Sequence, residues 1–263
     1  MRRWFGVLAI LAAGVFTAVV YSWLPEQIPT HWNLSGEADD WSSRFVGAIA
    51  LPLEGLGLWA LLQWLPRIDP LRSNYEKFRG TYDVAVNTIL VFIAGAHVFV
   101  LGVALGWPLS MARALPIGIG AMCILLGNVL PRARRNWWFG VRTPWTLSND
   151  RVWERTHRVA GYLFVALGIA LLITAAIPVS LPTGAVIASL AVVAGILLVY
   201  SYVAWRQESS RSRSHLSTYL FADGAAAPGL PGAAPGESDS AKLTSRFRDF
   251  IIATMLGLST AFM

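Results

Sequence analysis

With 55% hydrophobic and 14% charged residues, the 263-residue chain departs from a soluble domain, in which about a quarter of residues carry charge. Its mean hydropathy is +0.53, and the apolar residues come in blocks of about 20, enough to cross a bilayer. The net charge of +6 gives no reason to expect direct nucleic-acid binding, because the cations lie between apolar blocks as orientation signals do.

Six blocks read as spans: 4–24, 45–65, 84–106, 114–130, 159–178 and 184–205. Only helices satisfy their own backbone in lipid as open segments, so the fold class expected is all-α, a polytopic membrane protein with six transmembrane helices. Leu24-Pro25, Leu65-Pro66 and Leu130-Pro131 read as helix stops, since proline disfavours helical geometry in the residue before it. The first block follows Arg2 and Arg3 but is too long for the apolar part of a secretory signal, so it reads as a span. Cys123 lies alone inside span four and has no intramolecular disulfide partner.

Lys and Arg alternate between loops. Arg2 and Arg3 precede span one, and loop one holds only Arg44. Loop two holds Arg67, Arg72, Lys77 and Arg79, and loop three only Arg113. Loop four holds Arg132, Arg134, Arg135, Arg142, Arg151, Arg155 and Arg158; loop five holds none, and Arg206, Arg211 and Arg213 follow span six. Both termini and loops two and four are therefore expected in the cytoplasm.

The outer loop, 25–44, reads "PEQIPTHWNLSGEADDWSSR". Pro25 and Pro29 stiffen it and Gly36 permits a turn. His31, Glu37, Asp39 and Asp40 have metal-ligand chemistry, but no second histidine is present and the spacing matches no zinc pattern. A folded cap is the favoured reading, packed down by Trp32 and Trp41, with a metal site as its alternative. Glu54 and His97 lie at equal depth, some 13–14 Å inside spans two and three at about 1.5 Å per residue. A carboxylate there calls for a partner, so the two are expected in contact, directly or through water.

The inner loop, 131–158, holds "NWWFGVRTPWTLSND". Pro144 pushes Thr143 toward extended geometry; Ser148 reads as the cap of a helix starting near Asn149, with Trp153, Thr156 and His157 on one face. Trp137, Trp138 and Trp145 are expected in the headgroup layer, with Arg142 between them presenting a planar fork to an anionic headgroup or an acidic partner segment. Residues 207–249 read as a disordered linker, and 250–263 as an apolar tail too short to span.

"GNVLPRARRNWWFGVRTPWTLSNDRVWERTHRVAGYLF" closely resembles the signature of the SdpI family of bacterial membrane proteins, and "LPEQIPTHWNLSGEADDW" resembles the short domain that often precedes it. The resemblance covers about 24–206 and divides the chain into an N-terminal three-helix part, 1–106, and an SdpI-like part, 107–206. It implies six helices in the orientation above. It also implies immunity against a secreted, membrane-active killing peptide and, for at least one member, recruitment of a cytosolic regulator. It assigns no catalytic residues and no cofactor. The matching inner positions are Asn128, Arg135, Asn136, Trp137, Trp138, Gly140, Arg142, Thr143, Pro144, Trp145, Ser148, Asn149, Trp153 and His157; the outer ones are His31, Trp32, Asn33, Gly36 and Asp39. The alternatives are an ion- or proton-coupled transporter using Glu54 and His97, and a membrane enzyme with a metal or lipid-headgroup site. No HExxH, GxSxG or Cys/His cluster supports the latter.

Overall fold

The computed structural model describes residues 4–177 and 181–222. The chain divides into two units, one through Arg206 and one from Gln207. The elements are α1 (Phe5–Val20), a hairpin of β1 (Gln27–Trp32) and β2 (Ala38–Ser43), α2 (Arg44–Ile68), α3 (Asn74–Ala104), α4 (Met111–Val129), the short α5 (Pro144–Ser148), α6 (Asp150–Ala176) and α7 (Thr183–Ala222). Among the described residues six helices are long and apolar enough to cross a membrane, one for each expected span.

Several boundaries move. Proline stops the first span, where α1 ends in a 3-10 turn before Pro25, and the fourth, where a 3-10 turn contains Pro131. Pro66 does not stop α2, which runs on to Ile68. α3 begins about ten residues before its expected span, at Asn74, whereas α6 begins at Asp150, in line with the helix start expected near Asn149; both project toward the arginine-rich end. The first part of the linker expected from 207 is helical instead, because α7 runs to Ala222; the rest of the expected linker and the apolar tail lie outside the described residues.

The closest helix pair is α4 with α6, and glycine makes the approach possible. A Cβ on Gly120 would lie 2.9 Å from the Gly168 carbonyl oxygen, and one on Gly168 would lie 2.5 Å from that of Gly120. Gly127 and Gly161 repeat the arrangement, each with the other's carbonyl 2.8 Å away. Each partner repeats at an interval of seven, two helical turns, so both contacts fall on one seam. Without side chains the backbones approach closely, which is how helices gain dispersion energy where lipid supplies no hydrophobic drive.

The N-terminal half packs α1 onto α2 and α3. Gly55 admits Ile10, and Asn87 Oδ1 accepts the Gly6 N–H at 2.9 Å, satisfying a donor that helix geometry leaves free. Fully buried His97 meets Thr17 of α1, Nε2 to Oγ1, at 2.7 Å. The expected Glu54–His97 contact is not made. Glu54 is on the exposed side of α2 next to buried Gly55, while His97 turns inward to α1. Counting along the chain fixes depth in the membrane but not direction around the helix.

Candidate functional site

At the arginine-rich end, residues 133–157 fold into a compact platform tied to the α2–α3 turn. Pro144 opens α5, and Thr143 before it is extended (φ −116°, ψ 160°), as the proline requires. Thr143 and Thr146 form a reciprocal cap: the Thr146 N–H donates to Thr143 Oγ1 at 3.2 Å, and the Thr143 N–H to Thr146 Oγ1 at 2.8 Å. Ser148 does not cap the next helix, because α5 claims it as its last residue. The cap of α6 is Asn149, whose Oδ1 accepts from Arg151 N (2.9 Å) and Val152 N (3.1 Å).

Fully buried Asn136 organises the platform. Its Oδ1 accepts the N–H groups of Trp138 (2.9 Å) and Phe139 (2.6 Å), and its Nδ2 donates to the carbonyls of Arg134 and Phe139, both at 2.9 Å. The Tyr75 hydroxyl lies 3.0 Å from Asp69 Oδ2 and 3.2 Å from Asn136 Oδ1, sharing its one proton between them. Asp69 also accepts from Leu71 N and Trp137 N, at 2.7 and 2.8 Å. Asn74 adds a bond to the Arg135 carbonyl at 2.8 Å. Loops two and four are thus one hydrogen-bonded body, held by a 3%-exposed carboxylate that is itself compensated.

His157 is the second anchor. It is buried, its ring stacked on Trp153 at 4.0 Å. Its Nδ1 donates to the Trp153 carbonyl at 2.9 Å, so Nε2 is the acceptor that takes the Val141 N–H at 3.0 Å. Gly140 (φ +108°) passes over that imidazole, and any Cβ there would collide with Nε2. Trp153 Nε1 donates to the Ala133 carbonyl at 2.8 Å. Trp145 is a bracket more than a headgroup anchor, since its Nε1 donates to Ser201 Oγ of α7 at 2.6 Å. Trp137 is half-buried and Trp138 is exposed.

The arginines divide by task. Arg134 pairs with Glu154 at 2.7 Å on the surface, where such a pair is worth about 1 kcal/mol or less. Arg135 pairs with Asp150 at 2.9 Å and donates to the Leu147 carbonyl. Exposed Arg142 spends one arm on the Trp137 carbonyl at 2.9 Å and presents the rest of its guanidinium outward. Asn128 stays apart, bonded to Ile124 of its own helix.

The outer loop is the β1–β2 hairpin. Asn33 Oδ1 accepts from Ser35 N and Glu37 N, and Gly36 adopts φ +90° at the turn. Ile28 is buried beneath Gly47, and Trp32 packs on Phe99; Trp41 is exposed. His31 Nδ1 and Asp39 Oδ1 are 2.6 Å apart on the surface, but Glu37 and Asp40 do not join them. Among the described residues no group of three such side chains could hold a metal ion.

The residues missed in the sequence are Asp69, Tyr75 and Asn74. Asp69 precedes Pro70 in a polar turn, a signal for backbone capping that an intramembrane search passes over.

Six spanning helices, a hairpin at one end and a buried polar platform at the other define a multi-pass membrane protein of the cell membrane. Residues 132–201 match the SdpI/YfhL protein family, and residues 8–56 match a domain of unknown function, DUF1648, so the resemblance to the SdpI family holds. Over 164 residues the chain is 26% identical to the Immunity protein SdpI of Bacillus subtilis (strain 168), covering 62% of this chain and 75% of that one. No solved structure matches the chain.

Proposed function

We propose that this chain is a membrane immunity protein, protecting its cell against a membrane-active peptide toxin and passing the state of the bundle to a cytosolic partner. The observation that carries this reading is the platform, built within the segment that matches the family. A surface anchor needs charge and indole rings only. This element adds a buried Asn136–Asp69–Tyr75 network that holds one arginine fork in a fixed place.

The hairpin is the end that meets the toxin, and the platform is the end that lies in the cytosol. Helix α7 gives a direct line between them. Its Gly184 N–H donates to the Leu34 carbonyl at the hairpin tip, and its Ser201 receives the Trp145 indole. A displacement of the hairpin has α7 as its rigid path to the platform. Arg142 then offers two donor-bearing nitrogens to a phosphate or to an acidic segment of the partner.

The test is expression in a sensitive strain challenged with a panel of membrane-active peptides. Wild type is expected to restore growth against at least one. Arg142→Lys keeps the charge and loses the fork; it should insert and fold normally yet protect about tenfold less well, the equivalent of about 1.4 kcal/mol. Failure of well-inserted wild type against every peptide overturns the immunity reading. Undiminished protection by Arg142→Lys returns that residue to simple charge anchoring.

A further inference from the structure

A cleft of about 410 Å³ opens between α4, α6 and α7 beneath the platform. Its walls are apolar: Leu126 of α4, Leu130 of the 3-10 turn that follows it, Phe164 of α6, Leu190 and Ala194 of α7. Its rim is the 140–143 turn, including Arg142. The volume is that of a small-ligand site. Ser201 of α7 is at the level of the platform, because it accepts from Trp145. At about 1.5 Å per residue, Leu190 is about 16 Å along the helix from Ser201. The cleft's lining on α7, from Leu190 to Leu198, is about 12 Å long, most of the depth of one leaflet's hydrocarbon, which is half of the roughly 30 Å core.

We infer that this cleft is a binding site for one anionic phospholipid of the leaflet on the platform side, with an acyl chain between α4 and α7 and its phosphate on Arg142. Three features select this ligand. The walls offer an acyl chain nothing to bond and everything to pack. The guanidinium has one arm fixed by the Trp137 carbonyl, so its free edge is aimed without further loss of rotamer freedom. A fork at the mouth of an apolar slot matches phosphate above hydrocarbon, whereas a free anion would leave the slot empty. The platform itself is rigid, tied by His157 to Val141 and by Thr146 to the carbonyls of Val141 and Thr143, so the rim holds its shape. The inference uses only the part of the functional reading that gives Arg142 a binding role, and it names the ligand.

The test uses the full chain purified free of lipid in detergent, with the thermal unfolding midpoint as readout. Phosphatidylglycerol added to about a hundredfold its dissociation constant should raise the midpoint by about 5–10 °C. Phosphatidylcholine should raise it clearly less, and glycerol phosphate alone should not raise it. Ala194→Phe fills the slot on an exposed helix face and should unfold like wild type without lipid but lose the phosphatidylglycerol shift. Leu198→Trp, on the same wall, replaces it if that variant does not fold. Arg142→Gln should respond to both lipids alike. Equal shifts of wild type by the two lipids, a wild-type response from the filled variant, or a full shift from glycerol phosphate would each overturn the site. Protection does not enter this readout, so loss of the lipid site leaves the immunity reading standing, and the reverse also holds.

Discussion

Replacing Asn136 with alanine is expected to lower the unfolding midpoint by about 5–15 °C, corresponding to roughly 2–4 kcal/mol. The side chain is wholly buried and serves two backbone N–H donors and two backbone carbonyls. Alanine leaves these four groups without their side-chain partner, and the stated range already allows for partial relaxation. The damage should also be local. Trypsin should cut at Arg134 and Arg135 in the variant under native conditions and spare them in wild type. Asn136→Asp should fail for another reason: it keeps the acceptor but sets a second carboxylate next to Asp69, with one Tyr75 proton between the two. A variant with the wild-type midpoint and digestion pattern would show that the network is decorative.

Gly168→Val is expected to be the most damaging change in the bundle. Even one Cβ at Gly168 would sit 2.5 Å from a backbone oxygen, an atom that moves only if α4 moves. Separating the two helices undoes both glycine contacts at once, and the backbone shift costs about 3 kcal/mol or more. Little folded, monodisperse protein should be recovered in mild detergent. Gly195→Ala is the control: nothing lies within 4 Å of its Cβ, and alanine is the better helix former. Equal recovery of the two variants would contradict the close-packed seam.

The spans were legible because hydropathy is a property of each segment alone, needing no knowledge of its neighbours. The same locality explains Thr143, whose extended backbone follows from the single residue after it. The Trp153–Thr156–His157 face was also readable from helical spacing, and all three are buried. What failed depended on direction or on a distant partner. Glu54 and His97 shared a depth, but the azimuth set by Gly55 packing on Ile10 turned Glu54 outward. Asn136 stood in the motif, yet its work was invisible without Tyr75 and Asp69, which reach it from another loop. Ser148 and Asn149 are equally good caps by residue type, and only the intervening α5 decides for Asn149. The glycine seam shows as an interval of seven in two spans, a pattern with no meaning until the two spans are known to be partners.

The proposed function requires the hairpin to face outward and the platform to face the cytosol, as the Lys/Arg alternation leads one to expect. Single cysteines at Ser35, on the hairpin turn, and at Ser148, at the end of α5, report this directly, since both positions are exposed. A Cys123→Ala background removes the native thiol. In intact cells an impermeant thiol reagent should label Ser35→Cys and spare Ser148→Cys, and permeabilising the cells should expose the second site. Labelling of Ser148→Cys from outside, with Ser35→Cys protected, would invert the protein and contradict the assignment of toxin contact to the hairpin and relay to the platform.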